Sequence, residues 1–149
     1  MNGVRACIDR VVPAHLRAKA VEVAIAENAS NARPGAGGAE LALETGKLWK
    51  PGRVLRVRFL GGVDSVKQRV EQWARVWEQH ANIRLEFVPS GAAEIRVAFA
   101  DDGSWSAVGT DALVTEWFGE NEPTMNYGWL TTDSSDEEVA SVLRRKLSS

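Results

Sequence analysis

Apolar residues recur at every second position in three stretches of the chain, and this spacing predicts three strands. The stretches are residues 54–60, 83–88 and 93–100. In the first stretch, Leu55, Val57 and Phe59 lie on one face, while Arg56 and Arg58 lie on the other. Because side chains alternate between the two faces of a strand, each of these strands buries one face.

A helix is predicted between the first two strands, over residues 64–82. Its apolar stripe has helical spacing and consists of Val66, Val70, Trp73, Trp77 and Ala81. Two glycines at 61 and 62 end the preceding strand, and either Asp64 or Ser65 caps the helix. A strand, a crossover helix and a second strand predict a right-handed parallel unit.

The N-terminal part of the chain has a different character. Residues 13–28 predict a helix with a weak apolar stripe, and Pro13 suits its first turn. Residues 30–38 are rich in Asn, Ala, Pro and Gly, which is typical of a linker. We therefore divide the chain near Gly46 into an N-terminal helical segment with its linker, 1–46, and a main domain, 47–149.

The last quarter of the chain predicts a strand, an acidic turn and a helix that begins near residue 135. Met125, Tyr127 and Trp129 alternate with smaller or polar residues, as in a half-buried strand. Ser135 and Glu138 have capping-box spacing ahead of an apolar run.

Composition excludes several classes of function. The net charge of −2 gives no electrostatic basis for binding nucleic acid. No apolar run is long enough to span a bilayer, and none near the N-terminus is typical of a signal peptide. The single cysteine excludes an internal disulfide. We expect a monomer that binds neither nucleic acid nor membrane, and a cytoplasmic location by default.

Several segments together resemble a known family. They are Leu-Trp-Lys-Pro-Gly at 48–52, Gly-Ser-Trp-Ser-Ala-Val-Gly at 103–109 and Pro-Thr-Met-Asn-Tyr-Gly-Trp-Leu at 123–130. In this order they resemble the N-terminal half of an astacin-like or matrixin-like zinc metallopeptidase, a metzincin. The resemblance covers roughly residues 47–143. It implies an α/β (α+β) fold: a twisted mixed sheet of four or five strands with one antiparallel edge strand, a backing helix and a C-terminal helix.

The resemblance also implies a substrate site. In this family the antiparallel edge strand pairs with an extended peptide or protein substrate through backbone hydrogen bonds. The residues that match this strand are Ser104, Trp105, Ser106, Ala107 and Val108. The side chain of Trp105 has two open interpretations, an inward position in the core or a place along the substrate groove.

The zinc-binding motif of the family is missing. The helix after the last strand is expected to carry His-Glu-x-x-His, in which two histidines bind zinc and the glutamate polarises water. Arg144, Arg145 and Ser148 stand at those three places, and arginine has no lone pair to offer a metal. His15 and His80 are the two histidines of the sequence.

From this departure we expect a chain truncated before the motif, with no catalytic residue, no metal ligand and no bound zinc, although zinc serves the full-length family. We predict that the chain is inactive as a peptidase. The alternative is a non-catalytic peptide-binding or interaction module that uses an exposed edge strand. Cys7 matches the inhibitory propeptide cysteines of matrixins only in residue type, and we interpret it as a plain thiol.

Overall fold

Six strands form one sheet in the order β1–β5–β6–β4–β2–β3. The computed structural model describes residues 7–32, 46–79, 82–100 and 103–128. The strands are β1 (Cys7–Arg10), β2 (Arg53–Phe59), β3 (Ile83–Phe87), β4 (Ile95–Ala98), β5 (Ser104–Ala107) and β6 (Met125–Tyr127). Neighbouring strands are parallel except for the antiparallel pair β5 and β6. β1 and β5 therefore run opposite to the other four strands.

Two helices and three short 3₁₀ turns accompany the sheet in the described residues. The helices are α1 (Arg17–Glu27) and α2 (Asp64–Glu78), and the 3₁₀ turns are Ala14–Leu16, Ala29–Asn31 and Gly109–Leu113. On α2 the side chains of Val66 and Val70 are buried, as the apolar stripe of the sequence predicts, and Trp73 is partly buried. Ala74, which is not part of that stripe, is buried as well. The mixed α/β class, the two helices and the parallel β2–α2–β3 unit are confirmed.

The strand registers show which residues share the core face of the sheet. Leu55 pairs with Leu85, and Val57 pairs with Ile95. Side chains of paired residues lie on the same face, so these apolar residues form one layer, and all four are buried. This layer is part of a hydrophobic cluster that includes residues of α2 and of the N-terminal segment.

A row of aromatic rings extends this layer at the ends of the strands. Phe59 stacks on Phe87 with ring centroids 5.7 Å apart and on Phe99 with centroids 5.9 Å apart. Phe99 meets Tyr127 edge to face at 6.1 Å. Such pairs contribute about 0.5–1.5 kcal/mol each beyond their buried area. The row therefore links β3, β2 and β6 across the sheet.

The N-terminal segment is tied to the chain that leads into β2. The side-chain amide of Asn31 donates to Ala24 O at 2.8 Å and to Leu48 O at 3.0 Å, and its oxygen accepts from Leu48 N at 2.9 Å. Asn31 is 1% exposed. The two bonds with Leu48 cross the boundary near Gly46. The division of the chain into 1–46 and 47–149 stays a prediction.

Three details of the predicted fold are corrected. The sheet has six strands rather than four or five, because Cys7–Arg10 joins it as β1. β5 is not an edge strand, because β1 covers its outer side. The backing helix ends at Glu78 rather than at 82. Trp129 and the helix predicted from about residue 135 lie outside the described residues.

Candidate functional site: strand β5 and its neighbours

Strand β5 contains four of the five residues that the sequence assigns to substrate binding. Ser104, Trp105, Ser106 and Ala107 form the strand, and Val108 follows it. On one side β5 pairs with β6 in antiparallel fashion, as the resemblance implies. On the other side it pairs with β1 in parallel, from Cys7 opposite Ser104 to Arg10 opposite Ala107. The predicted peptide-binding side of β5 is therefore occupied by a segment of the same chain.

The two faces of β5 have different surroundings. Ser104 pairs with Tyr127 and Ser106 with Met125, so both serines face the core layer, and both are buried. Trp105 and Ala107 lie on the opposite face, which they share with Ile8 and Arg10 of β1. Trp105 is only partly buried. Its side chain lies on the face opposite the two serines and packs there against the edge of the hydrophobic cluster.

Three aromatic rings surround the guanidinium of Arg10. Its ζ carbon lies 4.6 Å from the centroid of the Trp105 ring, 5.3 Å from Trp117 and 5.9 Å from Phe118. A cation within about 6 Å of an aromatic face is attracted by the negative charge of the ring face. We call Trp105, Trp117 and Phe118 the aromatic cage.

A buried arginine holds the loop that carries two rings of the cage. Arg96 is 4% exposed, and its guanidinium donates to Glu122 O, Ala93 O and Phe118 O. Burial lowers the pKa of Arg96 from its usual value, and the nearby charge of Arg58 acts in the same direction. Arginine nevertheless stays protonated in proteins, so this side chain keeps its charge and its five donors. The loop backbone is thus fixed from inside the molecule.

The start of the same loop is fixed by a second buried contact. Asp111, in the 3₁₀ turn after β5, is fully buried and pairs with Lys47 at 2.5 Å. Gly109 begins this turn with φ of +49°, and a Cβ there would collide with the carbonyl oxygen of Lys47. Glycine adopts this positive φ without cost. Because it has no Cβ, it also permits the close approach to Lys47.

An open cavity of about 500 Å³ lies beside this loop. It is lined by Arg58, Glu94, Arg96, Leu113 and Asn121, among others, and its lining contains no Ser, Cys or His. Arg58 donates to Gly91 O at 2.8 Å, and Arg96 donates to three backbone carbonyls. Both guanidiniums therefore already donate to backbone carbonyls of the protein.

The described residues do not fit a catalytic zinc ion. Such an ion takes three protein ligands, and in the described ranges no three His, Cys, Asp or Glu residues lie close enough to hold a metal. His15 is exposed in the first 3₁₀ turn. His80 and the stretch after Leu143 lie outside the described residues. The absence of zinc from this chain stays a prediction.

The six-stranded mixed sheet with one antiparallel pair is a metzincin-like α/β fold by comparison with solved structures. Two structures of myroilysin, a metzincin metallopeptidase, match the chain with 39% identity and a TM-score of 0.61. Both matches cover 68% of this chain, and they cover 45% and 50% of the myroilysin chains. The chain thus spans about half the length of the structures that it matches. No family model and no curated protein matches it. Across the parts that the structure describes, no helix is both long enough and apolar enough to cross a membrane.

Sequence reasoning missed two residues of this region. Arg10 lies in a segment with no strand pattern, and only the pairing with β5 shows its place. Arg96 did carry a signal, because an arginine between Ile95 and Val97 in a strand needs partners when it is buried. The shared contact of Trp117 and Phe118 with the cation of Arg10 depends on the tertiary structure.

Proposed function

We propose that this chain is part of an astacin-like or matrixin-like zinc metallopeptidase and that β5 is its substrate-binding strand. The observation that carries the proposal is the 39% identity with myroilysin over 68% of the chain, because it joins likeness in sequence to likeness in fold. The substrate would be an extended peptide or protein segment. We expect the chain to act as a monomer, without nucleic acid or membrane.

The pairing of β1 with β5 supports the part of the proposal that concerns peptide binding. Strand addition supplies affinity through backbone hydrogen bonds and specificity through alternate side chains. An extended segment already lies along β5 over the four positions of the strand. Ser104 to Val108 therefore remain the proposed contact residues for a peptide that replaces β1.

We further propose that the 149 residues do not hydrolyse peptides by themselves. The places of the two zinc histidines and the glutamate hold Arg144, Ser148 and Arg145. Neither arginine can ligate a metal, and a serine hydroxyl is a weak substitute for imidazole. Zinc belongs to the proposed family, and we expect these residues not to retain it.

Zinc titration by calorimetry, combined with a peptidase assay on internally quenched peptides, tests this proposal. The expected result is no stoichiometric zinc binding and no hydrolysis above buffer. A matched variant with Arg144→His, Arg145→Glu and Ser148→His should bind zinc more tightly than the unchanged chain, because histidines four apart on a helix share a metal. Stoichiometric zinc and peptide cleavage in the unchanged chain would contradict the proposal.

A second candidate function is a non-catalytic peptide-binding module. The observation that favours it is again β1, which shows that the outer side of β5 accepts an extended segment. Saturable binding of a peptide in the presence of a metal chelator distinguishes this function from one that needs zinc. No saturable binding under those conditions excludes it.

A further inference from the structure

The aromatic cage holds the guanidinium of Arg10, although this side chain is not buried there. Arg10 is itself exposed, yet its ζ carbon lies within 5.9 Å of all three ring centroids. An exposed arginine gains full hydration by pointing into solvent. Its position over three rings therefore indicates a specific attraction between this cation and the cage.

The cage is built by elements other than β1. Trp105 belongs to β5, whose other side is paired with β6. Phe118 is 1% exposed, its N–H bonds to Val114 O, and its carbonyl accepts from Arg96. The backbone N–H of Trp117 donates to Val114 O. The backbone that carries the three rings is therefore held by contacts that do not involve β1.

The charge of the surrounding loop also favours a cation. Glu116, Glu120 and Glu122 lie in the same loop as two rings of the cage, and all three are exposed. They outnumber the two arginines that donate to carbonyls of this loop, Arg58 and Arg96. Carboxylates near an aromatic surface add a long-range attraction for a positive side chain. A planar guanidinium stacks on such rings better than the compact ammonium of lysine.

We propose that Trp105, Trp117 and Phe118 form a subsite for an arginine side chain of an extended peptide bound along β5, and that Arg10 occupies this subsite in cis. The inference rests on the proposed function, because it requires peptide binding at β5. The arginine of the peptide stands opposite Ala107, the register that Arg10 holds now. The side chain of this peptide arginine reaches the cage whether the peptide runs parallel or antiparallel to β5, because paired residues share a face of the sheet.

The test uses the full 149-residue chain in two forms that release the subsite. One is Arg10→Gln, which keeps β1 and empties the cage. The other replaces residues 7–10 with glycine, which weakens the strand and frees the side of β5. Two fluorescent eight-residue peptides are compared by anisotropy. They differ only in a central arginine or citrulline, which has nearly the same shape and no charge.

The arginine peptide is expected to bind each form at least tenfold more tightly than the citrulline peptide. Adding Trp105→Leu should reduce this ratio to about one, because the substitution removes one ring of the cage. Phe87→Leu is the matched control, because Phe87 also faces an arginine, Arg75 at 5.1 Å, but lies on β3. It should leave the ratio unchanged.

The outcomes separate this inference from the proposed function. Equal binding of the two peptides overturns the arginine subsite and leaves peptide binding at β5 intact. An arginine preference that survives Trp105→Leu also overturns the subsite. If neither peptide binds saturably to either form, the subsite and peptide binding at β5 both fail. Because Arg10→Gln alters a single exposed side chain, this form retains the fold if the glycine form unfolds. In this form the peptide competes with β1 for β5, so the same arginine preference is expected at a lower affinity for both peptides.

Discussion

Arg96 carries a charge although only 4% of its surface is exposed. Three backbone carbonyls from Ala93, Phe118 and Glu122 surround its guanidinium. Hydrogen bonds to a charged group contribute about 1.5–3 kcal/mol each, and an unpaired buried carbonyl costs about 1–3 kcal/mol. One side chain therefore fixes both the turn before β4 and the loop that carries the aromatic cage.

Replacing Arg96 with methionine should lower the free energy of unfolding by about 3 kcal/mol, because three carbonyls lose their donor in a buried place. Urea denaturation measures this loss. Arg58→Met is the matched control: Arg58 lies on the same face of the sheet and also donates to carbonyls, but it is partly exposed. It should cost about 1 kcal/mol or less, because water can replace its bonds. Equal losses in the two variants would contradict the role given to Arg96.

At the level of elements, β1 shows how a strand can form without a strand pattern. Its four residues include one large apolar side chain, Ile8, which is 67% exposed. No alternation marks the segment, so nothing local favours an extended conformation. The hydrogen-bonding groups on the outer side of β5 favour it instead, since an unpaired strand edge is a template for another strand.

The contact between α1 and the segment before β2 depends on one polar side chain. Asn31 satisfies the carbonyls of Ala24 and Leu48 and the N–H of Leu48 at the same time. A side-chain amide has two donors and an acceptor, so it matches these three backbone groups. The pattern of apolar residues gives no sign of this contact.

Asn31→Ala should lower the free energy of unfolding by about 2–4 kcal/mol, because the substitution leaves three largely buried backbone groups without partners. Chemical denaturation checks the value. Ser30→Ala, at the exposed neighbouring position, is the control and should change stability by less than about 0.5 kcal/mol. A loss for Asn31→Ala as small as that of the control would show that the contact does not join the two segments.

At the scale of the molecule, the hydrophobic cluster includes residues from both sides of Gly46. Val12 and Ala20 come from the N-terminal segment, while Trp49, Leu55 and Phe118 come from the rest of the chain. A shared core makes the two parts dependent on each other, because neither part buries its apolar surface alone. We therefore expect one cooperative unfolding transition, as small single domains show.

Thermal unfolding followed by tryptophan fluorescence and by far-UV circular dichroism should give coincident curves. Val12→Ala should shift both curves together and cost about 1–2 kcal/mol, because it removes buried methyl groups. Val11→Ala is the matched control, since Val11 is 61% exposed, and it should change little. Two separate transitions, with Val12→Ala acting on only one, would instead support an independent N-terminal segment.

Much of the fold could be predicted because its cause is local. The period-two stretches became β2, β3 and β4, and the helical stripe became α2. The resemblance predicted an antiparallel strand at 104–108, and β5 does pair with β6 in antiparallel fashion. The match with myroilysin supports the same fold. Boundaries were less accurate, because the end of a helix such as α2 depends on contacts beyond its own sequence.

The sequence alone specifies the elements whose apolar spacing matches a strand or a helix, and it has Arg144 and Ser148 where the resemblance leads us to expect zinc histidines. The segment that pairs with β5 and the rings that surround Arg10 are visible only in the tertiary structure. The physical reason is that spacing along the chain reports the burial of a single element. The pairing of β1 with β5 and the meeting of three rings at one cation depend on residues about a hundred positions apart, and only the folded chain brings these together.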